Sequence, residues 1–161
     1  MKLREGVEWA VHCCINLSWV NPDRAVPAAR LAEFHDLPTA YLNKQMNALG
    51  RVGIVLSHSG PRGGFRLGRE PQEITLMDVA AAIDGSARAF LCTGIRHQGP
   101  AGRLAGPAGH RTPCTVAQAF SHAELAWRRR LASQTIADLA DEVRRANPAA
   151  PDHVRHWFDR T

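Results

Sequence analysis

The sequence predicts a mainly α chain with one small β-hairpin. Three observations carry this. Apolar residues recur at three- and four-residue spacing through most of the 161 residues. Only residues 54–58 and 65–67 read as strands, and a Gly/Pro-rich turn joins them. The stretch between Cys92 and Cys114 is too rich in Gly (94, 99, 102, 106, 109) and Pro (100, 107, 113) to hold helix or strand.

Composition narrows the function classes. Hydrophobic residues make up 45% and charged residues 22%, the balance of a chain with a packed core. No apolar run approaches the roughly 20 residues that cross a membrane. Glu5 and Glu8 stand where a signal peptide would be apolar. A cytoplasmic protein with no membrane partner is expected. Four Cys in that setting point to metal or redox chemistry before structural disulfides. Net charge is +5, and its distribution says more than its size. Residues 37–69 hold Lys44, Arg51, Arg62, Arg66 and Arg69 and no acid. A block so free of carboxylates favours a nucleic-acid footprint over an evenly solvated face.

Residues 2–20 read as a first helix, with Leu3, Val7, Ala10, Val11, Cys14 and Ile15 on one stripe and Asn21-Pro22 as its stop. Glu8 and His12 lie four apart and project together, with Trp9 and Cys13 beside them. Spacing alone makes that pair a surface contact. Adjacent Cys13 and Cys14 read as small buried hydrophobes.

Residues 26–35 form a second short helix with Pro27 in its first turn, and Asp36-Leu37 turns the chain. Pro38 opens a third helix that stops at Gly50; Leu42, Met46 and Leu49 are its buried stripe. The opposite face shows Thr39, Ala40, Asn43, Lys44 and Asn47, hydrogen-bonding tips suited to a major groove. Two helices, a tight turn and a polar-faced helix make a helix-turn-helix. The hairpin after it reads as a wing, with Arg62 and Gly63 at a tip able to approach a minor groove. The expected DNA-binding set is Thr39, Tyr41, Asn43, Lys44, Asn47, Arg51, Arg62 and Gly63.

A helix capped by Thr75 and ended by Gly85 completes a winged helix-turn-helix domain over residues 1–85. Residues 86–114 are the cysteine loop. It carries Arg96, Arg103 and Arg111, with no acid between the two thiols, so its surroundings favour thiolate. Residues 115–146 are read as dimerisation helices. Val116, Ala119, Phe120, Ala123, Trp127 and Leu131 form an aromatic, Ala-lined stripe for a homodimer contact. The Arg128–Arg130 run reads as a solvated face. Thr135 caps the following helix, and residues 147–161 are a tail whose Trp157 and Phe158 are open between docking and disorder.

The motifs PTAYL opening the third helix, GPRGGFRL in the wing and ITLMDVAAAIDG after it, with Cys92 beyond, resemble the iron–sulfur-linked winged-helix regulators that include IscR and NsrR. The resemblance covers roughly residues 1–145. It implies a homodimer that binds double-stranded DNA and shares an iron–sulfur cluster between one subunit's cysteine loop and the other's first helix. Many relatives have three loop cysteines; here only Cys92 and Cys114 exist. A 2Fe–2S cluster still needs four ligands. The set Glu8, His12, Cys92 and Cys114, with Trp9 beside it as a switch candidate, is similar to the RsrR branch. The implied function is operator binding switched by the redox state of that cluster.

Three rivals follow from the same residues. Glu, His and two Cys also suit a structural zinc ion. A metal-free regulator controlled by a protein partner would use the tail aromatics as its handle. A nucleophilic enzyme pairing Cys114 with His110 lacks an orienting third group in the sequence, so no enzyme activity is expected.

Overall fold

The computed structural model describes residues 3–60, 63–100, 102–104 and 113–160. Helix α1 spans Glu5–Trp19, α2 Ala28–Phe34 and α3 Thr39–Arg51. Strands β1 (Val55–His58) and β2 (Gly64–Leu67) pair antiparallel, with Val55 opposite Leu67 and His58 opposite Gly64. Helices α4 (Leu76–Asp84), α5 (Thr115–Ala132), α6 (Ile136–Ala146) and α7 (Ala150–Asp159) follow. The mainly α chain with one hairpin is as the spacing predicts. The chain divides into two compact units, residues 86–130 and residues 2–85 with 131–161.

In the larger unit, α1 is the central element. Glu5 and Glu8 sit in its first turn, where the helix dipole favours carboxylates. It packs against α3, α4, α6, α7 and β2. Its Ala10, Cys13 and Cys14 are wholly buried, as expected of small hydrophobes. Gly6 lets α1 meet α3 closely, because an added Cβ would come within 2.8 Å of the buried Gln45 side chain. Asp36 turns the chain into α3 with φ 52°, a left-handed conformation that Asp tolerates better than most residues.

The wing is tied to the helices at one point. Val26 and Phe65 exchange two backbone hydrogen bonds of 2.8 Å each. Gly64, at φ 152°, lies so close to the Val26 carbonyl that a Cβ there would sit 2.2 Å from its oxygen. Thr75 and Thr135 each build a capping box, with Asp78 and with Asp138. The two capped ends also bond across: Leu76 N–H donates to Gln134 O (2.9 Å) and Ile136 N–H to Ile74 O (2.8 Å).

The C-terminal stretch is an ordered helix. Pro151 lies in its first turn, where a missing N–H costs nothing, and Pro151, Val154 and Phe158 are buried. The aromatic handle imagined for a protein partner is therefore corrected at Phe158, which is only 3% exposed. The two helices expected to dimerise, over residues 115–146, have different surroundings. Ile136 and Ala140 of α6 belong to the core around α1, whereas α5 buries no residue.

In the smaller unit, the cysteine loop holds more order than its Gly and Pro content predicts. Ile95–His97 form a 3-10 turn opened by Gly94 at φ 71°. Residues 99–100 and 102–104 are helical, and Gly102 N–H donates to the Gln98 carbonyl at 3.1 Å. Pro100 falls where a first turn accepts it. The arginine run differs too. Arg128 pairs with Glu124 (2.8 Å) and donates to the carbonyls of Ser86 and Ala87, so it staples the start of this unit to α5. Phe90 and Phe120 stack at 4.4 Å and 13°. No helix among the described residues is long and apolar enough to cross a membrane.

Candidate nucleic-acid interface and metal ligands

Helix α3 separates its two faces as its sequence period requires. Leu42, Gln45, Met46, Ala48 and Leu49 are buried, while Thr39, Tyr41, Asn43, Lys44, Asn47 and Arg51 are exposed. Thr39, Asn43, Lys44, Asn47 and Arg51 thus share one accessible side with no carboxylate among them, while Tyr41 stands toward α1. Gly63 is half-buried at the wing turn, its N–H donating to the Gly60 carbonyl at 2.9 Å. Arg62 lies outside the described residues. On the wing, Arg66 Nε donates to His58 Nε2 at 2.8 Å, which holds two basic side chains side by side on the exposed strands.

Trp9 touches this helix. Its ring meets that of Tyr41 edge-on at 5.1 Å and 74°. Glu8 and His12, one on each side of Trp9 in sequence, are exposed on α1. Both help line a hollow of about 330 Å³ whose walls include Val7, Val11, Leu76 and Leu139. Behind His12, its ring lies 5.7 Å from that of His35, and His35 Nε2 is 2.7 Å from the Asn16 amide nitrogen. Burial first, and then the neighbouring His12, lowers the pKa of His35. So the ring that backs the α1 pair has its charged form disfavoured.

The two loop thiols are brought together. Cys114 lies just before the first residue of α5, where the backbone N–H groups of Ala117 and Val116 favour its thiolate form. The Cys92 side chain is a further partner, and Arg96 adds a positive charge. The Ala117 N–H is the largest cause lowering the Cys114 pKa; partial burial opposes it, and Val116, Cys92 and Arg96 add to the lowering. A helix N-terminus and a nearby guanidinium both favour the thiolate form of such a thiol, the form that binds metal. Cys13 and Cys14 are the opposite case. Burial pushes Cys13 up to about 12, and burial with the adjacent Cys13 pushes Cys14 up as well. They have no ligand character.

The donors therefore form two half-sets, Cys92 with Cys114 in one unit and Glu8 with His12 in the other. Among the described residues, no three His, Cys, Asp or Glu side chains gather into a metal site. The rival His110 lies outside the described residues. Sequence reasoning missed the α5 N-terminus as a partner of Cys114. The signal was Pro113-Cys114-Thr115 directly before an amphipathic run, a cap position. It also missed Tyr41 against Trp9 and His35 behind His12, contacts between residues far apart in sequence.

Known proteins match both the sequence and the fold. The HTH-type regulator YffB of Lactococcus lactis is 29% identical over 143 residues, 89% of each chain. The HTH-type transcriptional regulator IscR of Aliivibrio salmonicida is 34% identical over 94 residues, 58% of this chain and 56% of that one. An HTH-type regulator of Aquifex aeolicus is 35% identical over 79 residues, 49% of this chain. The matched stretch spans only about half the length of the IscR and Aquifex proteins. Among solved structures, T. potens IscR aligns with a TM-score of 0.66 at 20% identity, covering 91% of each chain. CymR, the global cysteine regulator of B. subtilis, aligns at 0.64 and 21%, covering 88% of this chain and 98% of its own. At such identities these two show the shared winged-helix fold alone. Residues 3–142 match Rrf2, described as an iron-dependent transcriptional regulator family. The chain belongs to the Rrf2 family of DNA-binding transcriptional regulators, and its relatives are regulators rather than enzymes.

Proposed function

We propose that this regulator's operator affinity is set by the oxidation state of a 2Fe–2S cluster at a homodimer junction, as in the RsrR branch of the family. Cys92 and Cys114 of one subunit would hold one iron, and Glu8 and His12 of the other subunit the second. The observation that carries the reading is the position of Cys114 at the N-terminus of α5, with Cys92 and Arg96 acting on its thiol. The donor types fit: two thiolates plus a carboxylate and an imidazole make four ligands. Such a cluster, when bound, supplies a one-electron change at the junction.

Everything else falls to the chain itself. Glu8 and His12 are free on the surface of α1, so a partner's loop can reach them. The apolar hollow beside them offers that loop a seat. Exposed Val116 (57%) and Phe120 (51%), on one face of α5, give a second copy an apolar surface. Trp9 sits between the two α1 ligands and against Tyr41 of α3. A shift of that edge of α1 therefore reaches the helix that reads DNA. Half-site spacing is a geometric condition for dimer binding, so a small change in the distance between recognition helices changes affinity. Thr39, Tyr41, Asn43, Lys44, Asn47 and Arg51 are the contacts assigned to α3, with Arg62 and Gly63 at the wing.

The deciding experiment is an anaerobic purification followed by visible absorption with iron and sulfide analysis. A coloured protein with equal iron and sulfide supports the reading, and Glu8→Ala or His12→Ala should alter the spectrum. A colourless protein carrying zinc would replace it with the structural-zinc reading, and a metal-free protein that still binds its operator with a regulatory partner would replace both.

A further inference from the structure

We infer that α7 is a strap that holds α2, the first helix of the helix-turn-helix, in its DNA-reading position against α3. The inference rests on the DNA-binding reading and adds a segment beyond the family-matched residues 3–142.

Helix α2 packs on α3, but it is short and buries little of itself. It has seven residues and buries only Leu31 and Ala32. A helix that short is not stable without packing from outside. Its far end is covered by α7. Phe34 lies 5.1 Å from the Trp157 ring and 5.2 Å from Phe158. The guanidinium of Arg30 stacks over Trp157 at 3.8 Å.

The same arginines finish α7. A helix C-terminus leaves its last carbonyls without partners. Here Arg24 donates to the Phe158 carbonyl at 2.6 Å, and Arg30 to those of Trp157 (2.9 Å) and Arg160 (3.0 Å). Arg24 also pairs with Asp159. Two cations at the entrance of the helix-turn-helix thus cap a helix from the far end of the chain. The contacts continue inward. Phe34 meets His35 edge-on at 5.0 Å, and His35 reaches Asn16 and His12 of α1. An unbroken run of packed rings therefore joins α7, α2 and the face of α1 that carries the α1 ligands.

The opposing view is that Arg24 and Arg30 are phosphate contacts which α7 merely covers. The two views differ in sign and in salt dependence. The test titrates full-length protein with a duplex that the wild-type chain selects from a random-sequence library, over a range of salt concentrations. Trp157→Ala should weaken binding roughly tenfold, in the range of coupling between packed elements. Arg24→Gln with Arg30→Gln should do the same and leave the log–log salt slope unchanged, because no phosphate contact is lost. Unchanged or tighter binding, or a slope reduced by about 0.9 per arginine, overturns the strap. Amide hydrogen exchange of the DNA-free chain decides independently. In Trp157→Ala the amides of α2 should lose protection while those of α4 keep theirs. Intact α2 protection, or equal loss in every helix, rejects the proposal. If the wild-type chain selects no duplex, the DNA reading fails, and the exchange result still decides the strap.

Discussion

The chain carries two pairs of cysteines whose environments are opposed. Cys13 and Cys14 sit in the middle of α1 with no exposed surface, and burial raises both thiols. Cys92 and Cys114 sit on the smaller unit, where Cys92 is exposed and backbone N–H groups at the start of α5 favour the Cys114 thiolate. The residue type is the same, and surroundings alone separate a packing group from a candidate ligand. The candidate ligands are thus not the adjacent thiols but two that lie far apart in sequence.

The comparison breaks most visibly if the wrong pair holds metal. In anaerobically purified protein, Cys114→Ala or Cys92→Ala should reduce iron content and visible absorbance to background. Cys13→Ala and Cys14→Ala should retain both. A full spectrum from the Cys114 variant would end the assignment.

Alkylation sharpens the contrast without metal. At pH 8 a thiol with pKa about 12 is roughly one part in ten thousand thiolate. Iodoacetamide should therefore label Cys114 at least about a thousandfold faster than Cys13, by peptide mass spectrometry, with exposed Cys92 labelled and buried Cys14 spared. The buried pair should react only when urea unfolds the chain. Because the Cys114 pKa is lowered, its thiolate persists to lower pH. Its labelling rate should reach half-maximum below the ordinary thiol value of 9.0.

Stability gives a smaller difference of opposite sense. Cys14→Ser places a hydroxyl in an apolar site and should cost about 1–3 kcal/mol in urea denaturation. Cys92→Ser, at an exposed position, should change stability by no more than about 0.5 kcal/mol. The smallest effect is expected at Arg96, the least of the groups lowering Cys114. Arg96→Ala should move the Cys114 labelling profile slightly upward in pH. Added salt should produce the same small movement in the unaltered protein.

What the sequence shows depends on whether a contact is local. The two faces of α3 follow from period alone: Leu42, Met46 and Leu49 are buried where the spacing predicts. The capping boxes at Thr75 and Thr135 are four-residue patterns, and both form. Helix α7 was legible in part, since Pro151, Val154 and Phe158 fall on one helical face, and Pro151 suits a first turn as well as a break. Its partners were not legible. Arg24 and Arg30 lie far from Phe158 and Trp157 in sequence, and only the folded chain joins them. The loop misleads through composition: Gly94 starts a 3-10 turn instead of preventing one. Glu8 and His12 show the limit of spacing. Four residues apart on an exposed helix describes many surface pairs, and their ligand role comes from family resemblance rather than from the residues themselves.

The central claim, that oxidation state sets DNA affinity, is tested most directly by one titration. Anaerobic protein carrying its cluster is divided, half is reduced with dithionite, and both halves are titrated with the same selected duplex at one salt concentration. The two states should differ by roughly tenfold or more in affinity, the scale of a switch carried by about 1.4 kcal/mol of coupling. Equal affinities, with the spectrum confirming that reduction occurred, would contradict the redox switch.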